Sequence, residues 1–586
     1  MMAALASLVL GFATATASAA APQASGDWTM PAHDYASTRY SPLNEITTAN
    51  VGKLQVSFTF STGVDRGQEA APIVVGNTMY VVTPFPNVLY ALDLTKPGAP
   101  AKWSYKPKPE PASQGVACCD VVNRGAVYWA GRVYFNTLDG NTIAVDAATG
   151  QLAWRTKLGN INKGETITMA PLVVKGKVLV GNSGGEFGVR GWIAALDAGS
   201  GKIVWKAYST GPDKDVLIGP SFKPFYSGDK GKDLGSKTWP ADAWKIGGGN
   251  VWGWISYDPE LDLIYYGTGN AGPWNADQRP GDNKWTAGMF ARDPDTGEAR
   301  WFYQFTPHDL FDYDAINENL LLEMTIAGKR RKVIVRPERN GFMYVLDRAT
   351  GQVYSADPYG PVNSILKVDM KTGRPQFNAE KWPKTGHTSR QVCPSAPGMK
   401  DWNPSSFSPR TGFVYIPHNN LCMDWQPSEV NYIAGTPYIG AEQKYYAGPG
   451  GNRGVVTAWN PVQRRAMWKI KEDLPVWSGT LSTAGDVVFY GTMDGWFKAI
   501  DARTGALLWK FKTGSGIIGQ PIAYRGPDGH QYIAILSGVG GWPGAIVTNN
   551  LDTRDATAAA GWGAALPDLK QKTTAGGTLY VFALPH

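Results

Sequence analysis

DAATGQLAW (146–154), DAGSGKIVW (197–205), DPDTGEARW (293–301) and DARTGALLW (501–509) are four copies of one phrase: Asp, three residues, Gly, three residues, Trp. Looser copies begin at Asp93, Asp347 and Asn460. A short apolar run such as GNTIAV, RGWIAAL or GWFKAI precedes the turn, and a second run is entered through the Trp. Apolar, β-type runs punctuated by Asp, Thr and Gly read as hairpins. Recurrence at about fifty residues, always in strands, points to a β-propeller. A β-sandwich array is the competing architecture, but it has no need of a Trp at one fixed place per repeat. The copies supply about seven units. An eighth is expected where the N-terminal segment joins the final strand, GTLYVFAL (577–584). The wide gaps at 197–293 and 347–460 leave room for extra strands and long loops.

The chain has 586 residues, 43% hydrophobic and 18% charged, ample for a large core and without a long polar tract. Residues 1–20, MMAALASLVLGFATATASAA, carry no charge and end in small residues, with Ala17-Ser18-Ala19 as a cleavage site. This reads as a signal peptide, although its first residues lack the usual Lys or Arg. Its apolar core is too short for a membrane span. Export to the periplasm is therefore expected, followed by one all-β domain over 21–586. The net charge of +7 is spread along the chain, which argues against nucleic-acid binding and leaves room for steering of an acidic protein partner.

The four cysteines are Cys118, Cys119, Cys393 and Cys422. An even count in an exported chain implies two disulfides. No CxxCH occurs, so no c-type haem is attached. Cys118 and Cys119 are adjacent, in GVACCDVVNRG (115–125). Neighbouring Cα atoms lie ~3.8 Å apart, whereas an ordinary disulfide wants ~4.4–6.8 Å. The pair is either a strained eight-membered ring of the kind kept at a site, or two unrelated buried thiols.

Propeller function resides in the loops at one end of the channel. Polar residues stand out between the repeats: Glu69 in DRGQEAAP, Arg124 after the cysteine pair, Thr168 in TITMAP, and Ser183, Gly184, Gly185 and Glu186 in NSGGEFG. Asn250 and Trp252 lie in GGGNVWGW and Asn270 in YGTGNAGPWN. TPHDLFDYDAINEN (306–319) carries Asp309, Asp312, Asp314 and Glu318, oxygen donors suited to a hard cation. Singly, each residue is as readily explained as turn chemistry.

Together the repeat, CCDVVNRG, SGGE, TPHDLFDYD, CMDW and VGGWPG closely resemble the pyrroloquinoline-quinone (PQQ) dependent alcohol dehydrogenases, from about Asp27 to the C-terminus. The resemblance implies an eight-bladed propeller with PQQ in its channel. It places the Cys118–Cys119 ring against one face of the quinone and Trp252 beneath the other. Arg124, Thr168, Ser183 and Glu69 match its carboxylate-edge positions, with Gly184 and Gly185 beside them. Arg339 matches the residue near the quinone oxygens, and Trp402, Trp477 and Trp542 match aromatic neighbours of cofactor and substrate. Cys393–Cys422 matches the second disulfide. The chain departs from the family's usual Thr at Asn250 and from its usual Asn at Asp401.

Glu186, Asn270 and Asp312 match the family's metal ligands. The resemblance implies that the metal acts as a Lewis acid and that Asp312 is the catalytic base removing the alcohol proton while hydride passes to the quinone. Asp314 matches the mark of the lanthanide-dependent branch, since a trivalent ion needs one more anionic ligand than Ca²⁺. Capping of a turn is the alternative for Asp314. The reading is thus a periplasmic alcohol dehydrogenase that oxidises primary alcohols, using PQQ and a lanthanide (La, Ce, Pr or Nd) in preference to Ca. The 306–319 stretch is closer to broad-range alcohol enzymes than to methanol specialists. Electrons are expected to pass to a separate periplasmic cytochrome c, with no membrane span and with a homodimer compatible. Competing readings are a Ca-dependent methanol or alcohol dehydrogenase, a PQQ sugar dehydrogenase, and a non-enzymatic propeller scaffold.

Overall fold

Most copies of the repeated turn are closed in the same way. In the first, Asp146 Oδ1 accepts the Thr149 backbone N–H at 2.8 Å and the Thr149 hydroxyl at 2.8 Å, while Gly150 N–H returns to Asp146 O. Asp347 and Asp501 repeat this with Thr350 and Thr504, and Asp197 does so with Ser200. The glycine turns at positive φ, 72° at Gly150 and 74° at Gly351, a conformation open to Gly without penalty. It also leaves room for a neighbour. A Cβ at Gly351 would lie 2.6 Å from Trp301 Cε3, and Gly201, Gly297 and Gly505 are covered likewise by Trp154, Trp205 and Trp468. Each indole then donates across the gap: Trp154 to Ala198 O at 3.0 Å, Trp205 to Pro294 O at 3.0 Å, Trp301 to Arg348 O at 3.3 Å. The Trp of one repeat is thus docked on the Gly of the next.

The computed structural model describes residues 26–585, so the expected leader at 1–20 lies outside the described residues. Eight antiparallel sheets of four strands form the propeller. Six are built from successive strands, among them Val127–Trp129, Arg132–Thr137, Asn141–Asp146 and Leu152–Lys157 in one sheet; a seventh, of Ser406–Ser408, Phe413–Asn419, Gly454–Asn460 and Arg465–Glu472, is interrupted by an insertion after its second strand. The last sheet closes the ring. Its strands Ile522–Arg525, Gln531–Ser537 and Thr578–Ala583 are completed by Gln55–Ser61, with Gln55 opposite Ala583 and Ser61 opposite Thr578. The eighth unit expected from the two chain ends is therefore present. One further strand, Tyr40–Ser41, pairs in parallel with Leu481–Thr483 in the preceding sheet.

Of the two wide gaps, 347–460 holds extra β-structure, including a two-stranded sheet of Ile365–Val368 and Pro375–Phe377, whereas 197–293 holds short helices and loops beside its regular strands and no extra strand. A three-stranded sheet holds Ser389–Val392, Leu421–Pro427 and Ala441–Ala447, and the Cys393–Cys422 bond ties it together. A further insertion, unmarked by any pattern in the sequence, carries the helices Gly541–Thr548 and Ala558–Ala565 between the last two strands of the final sheet. Arg453 anchors it by donating to Ala565 O at 2.9 Å and to Asp568 at 2.6 Å. Among the described residues no helix is long and apolar enough to cross a membrane.

The docked indoles predict where stability resides. Trp301→Ala should cost roughly 3–5 kcal/mol, as expected for a fully buried indole. Gly351→Ala should also lower the melting temperature, although it removes no apolar surface, because the added methyl collides with the same ring. Thermal unfolding of both variants checks this; an unchanged Gly351→Ala midpoint would show that the approach of ring to glycine carries no weight.

Candidate active site

The segment that enters the first strand of each sheet runs over the same end of the channel. Glu69 precedes Ile73–Val75, Arg124 precedes Val127–Trp129, Thr168 precedes Leu172–Val174, and Trp252 precedes Ile255–Asp258. Trp402 and Trp477 hold the same station before Ser406–Ser408 and Leu481–Thr483. Neighbouring entry segments run parallel, as the bridge between Ala71 and Gly125 shows. The fold thus delivers side chains far apart in sequence to one point. There they line a cavity of about 860 Å³, part of it open to solvent.

Sixteen residues singled out from sequence line it: Glu69, Cys118, Cys119, Arg124, Thr168, Ser183, Gly184, Glu186, Trp252, Asp312, Asp314, Arg339, Asp401, Trp402, Trp477 and Trp542. Cys118 and Cys119 are disulfide-bonded, and Cys118 is exposed at the mouth, so the pair is not two buried thiols. Gly185, Asn250 and Asn270 lie beside these lining residues. The side-chain oxygens of Asn250 and Asn270 lie 3.0 and 3.4 Å from where a Gly185 Cβ would be. Both polar atoms of the Asn250 amide are buried without a partner.

One edge of the cavity is a chain of polar contacts. Arg124 pairs with Glu69 at 3.0 Å and donates to Thr168 Oγ1 at 2.8 Å, and that hydroxyl lies 3.0 Å from Ser183 Oγ. The guanidinium also lies over Trp252 and Trp402, 4.8 and 5.0 Å from the ring centres. Burial pushes the Glu69 carboxyl up to about 8 despite the pull of Arg124.

The other edge is acidic. Asp309 accepts the N–H groups of Phe311 and Tyr313 at 3.3 and 3.0 Å, folding the 309–314 segment into a turn with Asp312 at φ 64°. Asp312 and Asp314 then point to one side, as their i, i+2 spacing allowed. Arg339 forks between them, Nη2 at 2.9 Å from Asp312 and Nη1 at 2.8 Å from Asp314, with Asp401 3.6 Å away. Asp314 Oδ1 accepts the Asn270 N–H at 2.5 Å. Glu186, Asp312, Asp314 and Asp401 face this one guanidinium, leaving three negative charges uncompensated when all are ionised. Burial accordingly raises Glu186, Asp312 and Asp314, the last to about 7. Among the described residues no three acidic, His or Cys side chains converge tightly on a point. The buried, unpartnered Oδ1 of Asp312 beside an excess of carboxylate oxygen nevertheless fits a hard, highly charged cation.

Sequence reasoning missed Asp120, Trp274, Ile439 and Ala560, which also line the cavity. Asp120 Oδ2 accepts the Gly541 N–H at 2.9 Å, fastening the cysteine loop to the helix Gly541–Thr548. Its place directly after the cysteine pair was the available signal.

Residues 28–357 and 452–533 match the family model for the β-propeller domain of PQQ glucose/ethanol/alcohol dehydrogenases. The chain is 51% identical to a lanthanide-dependent methanol dehydrogenase of Methylacidiphilum fumariolicum (strain SolV), over 95% of this chain and 92% of that one. It is 46% identical to the methanol dehydrogenase (cytochrome c) subunit 1 of Methylorubrum extorquens, over 95% and 91%. A solved europium-containing methanol dehydrogenase superposes with a TM-score of 0.94 at 51% identity, covering 95% of this chain and 98% of that one. The quinohemoprotein alcohol dehydrogenase ADHIIG of Pseudomonas putida HK5 gives 0.83 at 36% identity, covering 95% and 80%.

The acidic edge makes cation uptake depend on pH. A ligating carboxyl must lose its proton, and Asp314 holds its own to about pH 7 without a cation. La³⁺ affinity of the apoprotein should therefore rise as pH climbs through 7, with more protons released on binding at pH 6.5 than at pH 9. The folded-state carboxyl is raised above its unfolded value, so its contribution to apoprotein stability is full at low pH and lost as pH rises through 7. Calorimetric titration in two buffers of different ionisation enthalpy checks the proton count; equal release at both pH values would contradict it.

Proposed function

The chain belongs to the PQQ-dependent glucose/ethanol/alcohol dehydrogenase family, and on that footing we propose that it oxidises primary alcohols to aldehydes with PQQ and a lanthanide ion. The observation that carries the metal is the surplus of carboxylate around Arg339, since a trivalent cation balances three uncompensated charges where Ca²⁺ leaves one. The names of the lanthanide-dependent and europium-containing relatives agree with this. Ca²⁺-dependent and scaffold readings lack a comparable basis.

In this reading Glu186, Asn270, Asp312 and Asp314 hold the cation. The Cys118–Cys119 ring and Trp252 cover the two faces of the cofactor. Arg124, Thr168 and Ser183 bind its carboxylate edge, with Glu69 holding the Arg124 guanidinium in place at 3.0 Å. When bound, PQQ supplies the two-electron acceptor and the cation supplies Lewis-acid activation. The rest falls to the protein. Arg339 fixes Asp312 through Oδ2 and leaves Oδ1 free, so Oδ1 takes the hydroxyl proton of the alcohol. Loss of that proton lets the carbinol carbon give up its hydride. Trp274, Trp477 and Trp542 exclude water from the reacting atoms. No haem motif exists in the chain, so electrons leave to a separate cytochrome c, consistent with the cytochrome named for one relative. The site would work in the periplasm after export through the leader at 1–20.

Two outcomes test this. Apoprotein given PQQ should oxidise ethanol with La³⁺, Ce³⁺ or Pr³⁺ at least about tenfold faster than with Ca²⁺, and Asp314→Ala should abolish that advantage; retained lanthanide activity in Asp314→Ala would remove the argument. Asp312→Asn should lower kcat by ~10²–10⁴-fold, the usual worth of a positioned base, in steady-state dye-reduction assays.

A further inference from the structure

One carboxylate of the 306–319 stretch takes no part in the acidic edge. Glu318 lies outside the cavity lining and is fully buried, as is its partner Lys400. Lys400 Nζ donates to Glu318 Oε2 at 2.6 Å, and Glu318 Oε1 accepts the Ser405 N–H at 2.9 Å. Burial pulls the Lys400 ammonium below its usual value, and Glu318 opposes that pull. Exchanging such a pair for apolar side chains of like size is often neutral for stability, whereas removing one member leaves a buried charge unpaired. Stability alone therefore gives little reason to bury these two charges. Their geometry gives another.

The pair joins two entry segments. Glu318 follows Asp312 and Asp314 and stands just before the strand Leu320–Ile326, while Lys400 and Asp401 stand before Ser406–Ser408 of the next sheet. Lys400 Nζ also donates to Asp401 O at 3.2 Å, and Asn317 Nδ2 donates to the same oxygen at 2.7 Å. Asp401 is thereby held at its carbonyl. At its carboxylate, Oδ1 accepts the Trp402 N–H at 2.7 Å and Oδ2 lies 3.6 Å from Arg339 Nη1. That nitrogen is the one that donates to Asp314, and its twin Nη2 donates to Asp312. A residue gripped at both ends cannot shift without disturbing the guanidinium that fixes Asp312.

We propose that Glu318 and Lys400 are positioning residues that clamp Asp401 against Arg339, and through Arg339 keep Asp312 oriented for proton removal. The inference rests on the dehydrogenase reading and goes beyond it by giving a role to two residues outside the cavity. Glu318 thus serves the acidic edge without facing it: its charge holds an ammonium, and the ammonium holds the backbone of Asp401.

The test measures steady-state ethanol oxidation by the wild-type holoenzyme, Lys400→Met and the double variant Glu318→Gln/Lys400→Met. Met keeps most of the side-chain length and lacks the donor. The double variant keeps an acceptor for the Ser405 N–H and leaves no carboxylate at 318 unpaired. In both variants kcat should fall at least about tenfold, the scale of a slight misplacement of a reacting group, while KM changes by less than about threefold. A second readout needs no turnover. In crystals of the double-variant apoprotein, Asp401 should have left its 3.6 Å approach to Arg339. Unchanged kcat in Lys400→Met, a return of kcat to the wild-type value in the double variant, or an unmoved Asp401 would each overturn the assignment. If neither variant folds, Asn317→Ala removes the other donor to Asp401 O without touching a charge. There kcat should fall about threefold, the worth of one hydrogen bond, and an unchanged kcat would overturn the clamp. A wild-type holoenzyme that oxidises no alcohol would fail the dehydrogenase reading instead, while the crystals would still judge the clamp.

Discussion

Closure of the ring by Gln55–Ser61 against Thr578–Ala583 is the constraint on which everything else rests. A propeller whose first and last sheets do not meet has two exposed edges and a slit channel. Here one strand from near the N-terminus completes the last sheet, so the hydrogen-bond ladder fixes the circumference. The docked indoles then set the angle between adjacent sheets through contacts repeated at Trp154, Trp205, Trp301 and Trp468. A rigid ring turns a modest offset in sequence into a common place in space. That is why residues as distant as Glu69 and Trp477 line one cavity.

Rigidity matters because the cavity concentrates like charge. Carboxylates buried beside one another raise each other's pKa and would repel a flexible loop outward. The 309–314 turn resists this through the two N–H groups accepted by Asp309, and Asp314 is held by the backbone of Asn270. Such a site is poorly satisfied until a cation arrives. Its strength as a binding site and its cost to the apoprotein are the same quantity seen from two sides.

Much of this was legible in the sequence because its causes are local. The Asp and Gly of each repeat follow from one turn geometry, and the Trp follows from the absence of a Cβ on the next glycine. Asp312 and Asp314 could be grouped because their spacing alone puts them on one side of a turn. What escaped was anything whose cause lies across the molecule. Asp120 meets Gly541 over 421 residues, and no local pattern marks that contact. The ATAAAGWGAAL stretch (556–566) shows no periodicity, and nothing in it announces two left-handed alanines, since Gln443 and Tyr445 impose them from another insertion.

The division of labour in the cavity follows the same boundary. Polar and acidic groups come chiefly from the segments entering the sheets, where ring geometry fixes them. The apolar wall comes from elsewhere: Ile439 from the insertion that spans 421–447, Trp542 and Ala560 from the helical insertion after Ser537. Insertions are outside the repeat, so changing their side chains leaves sheet closure and indole docking untouched. The charged edge and the apolar wall are thereby placed on parts of the fold with different tolerance for change.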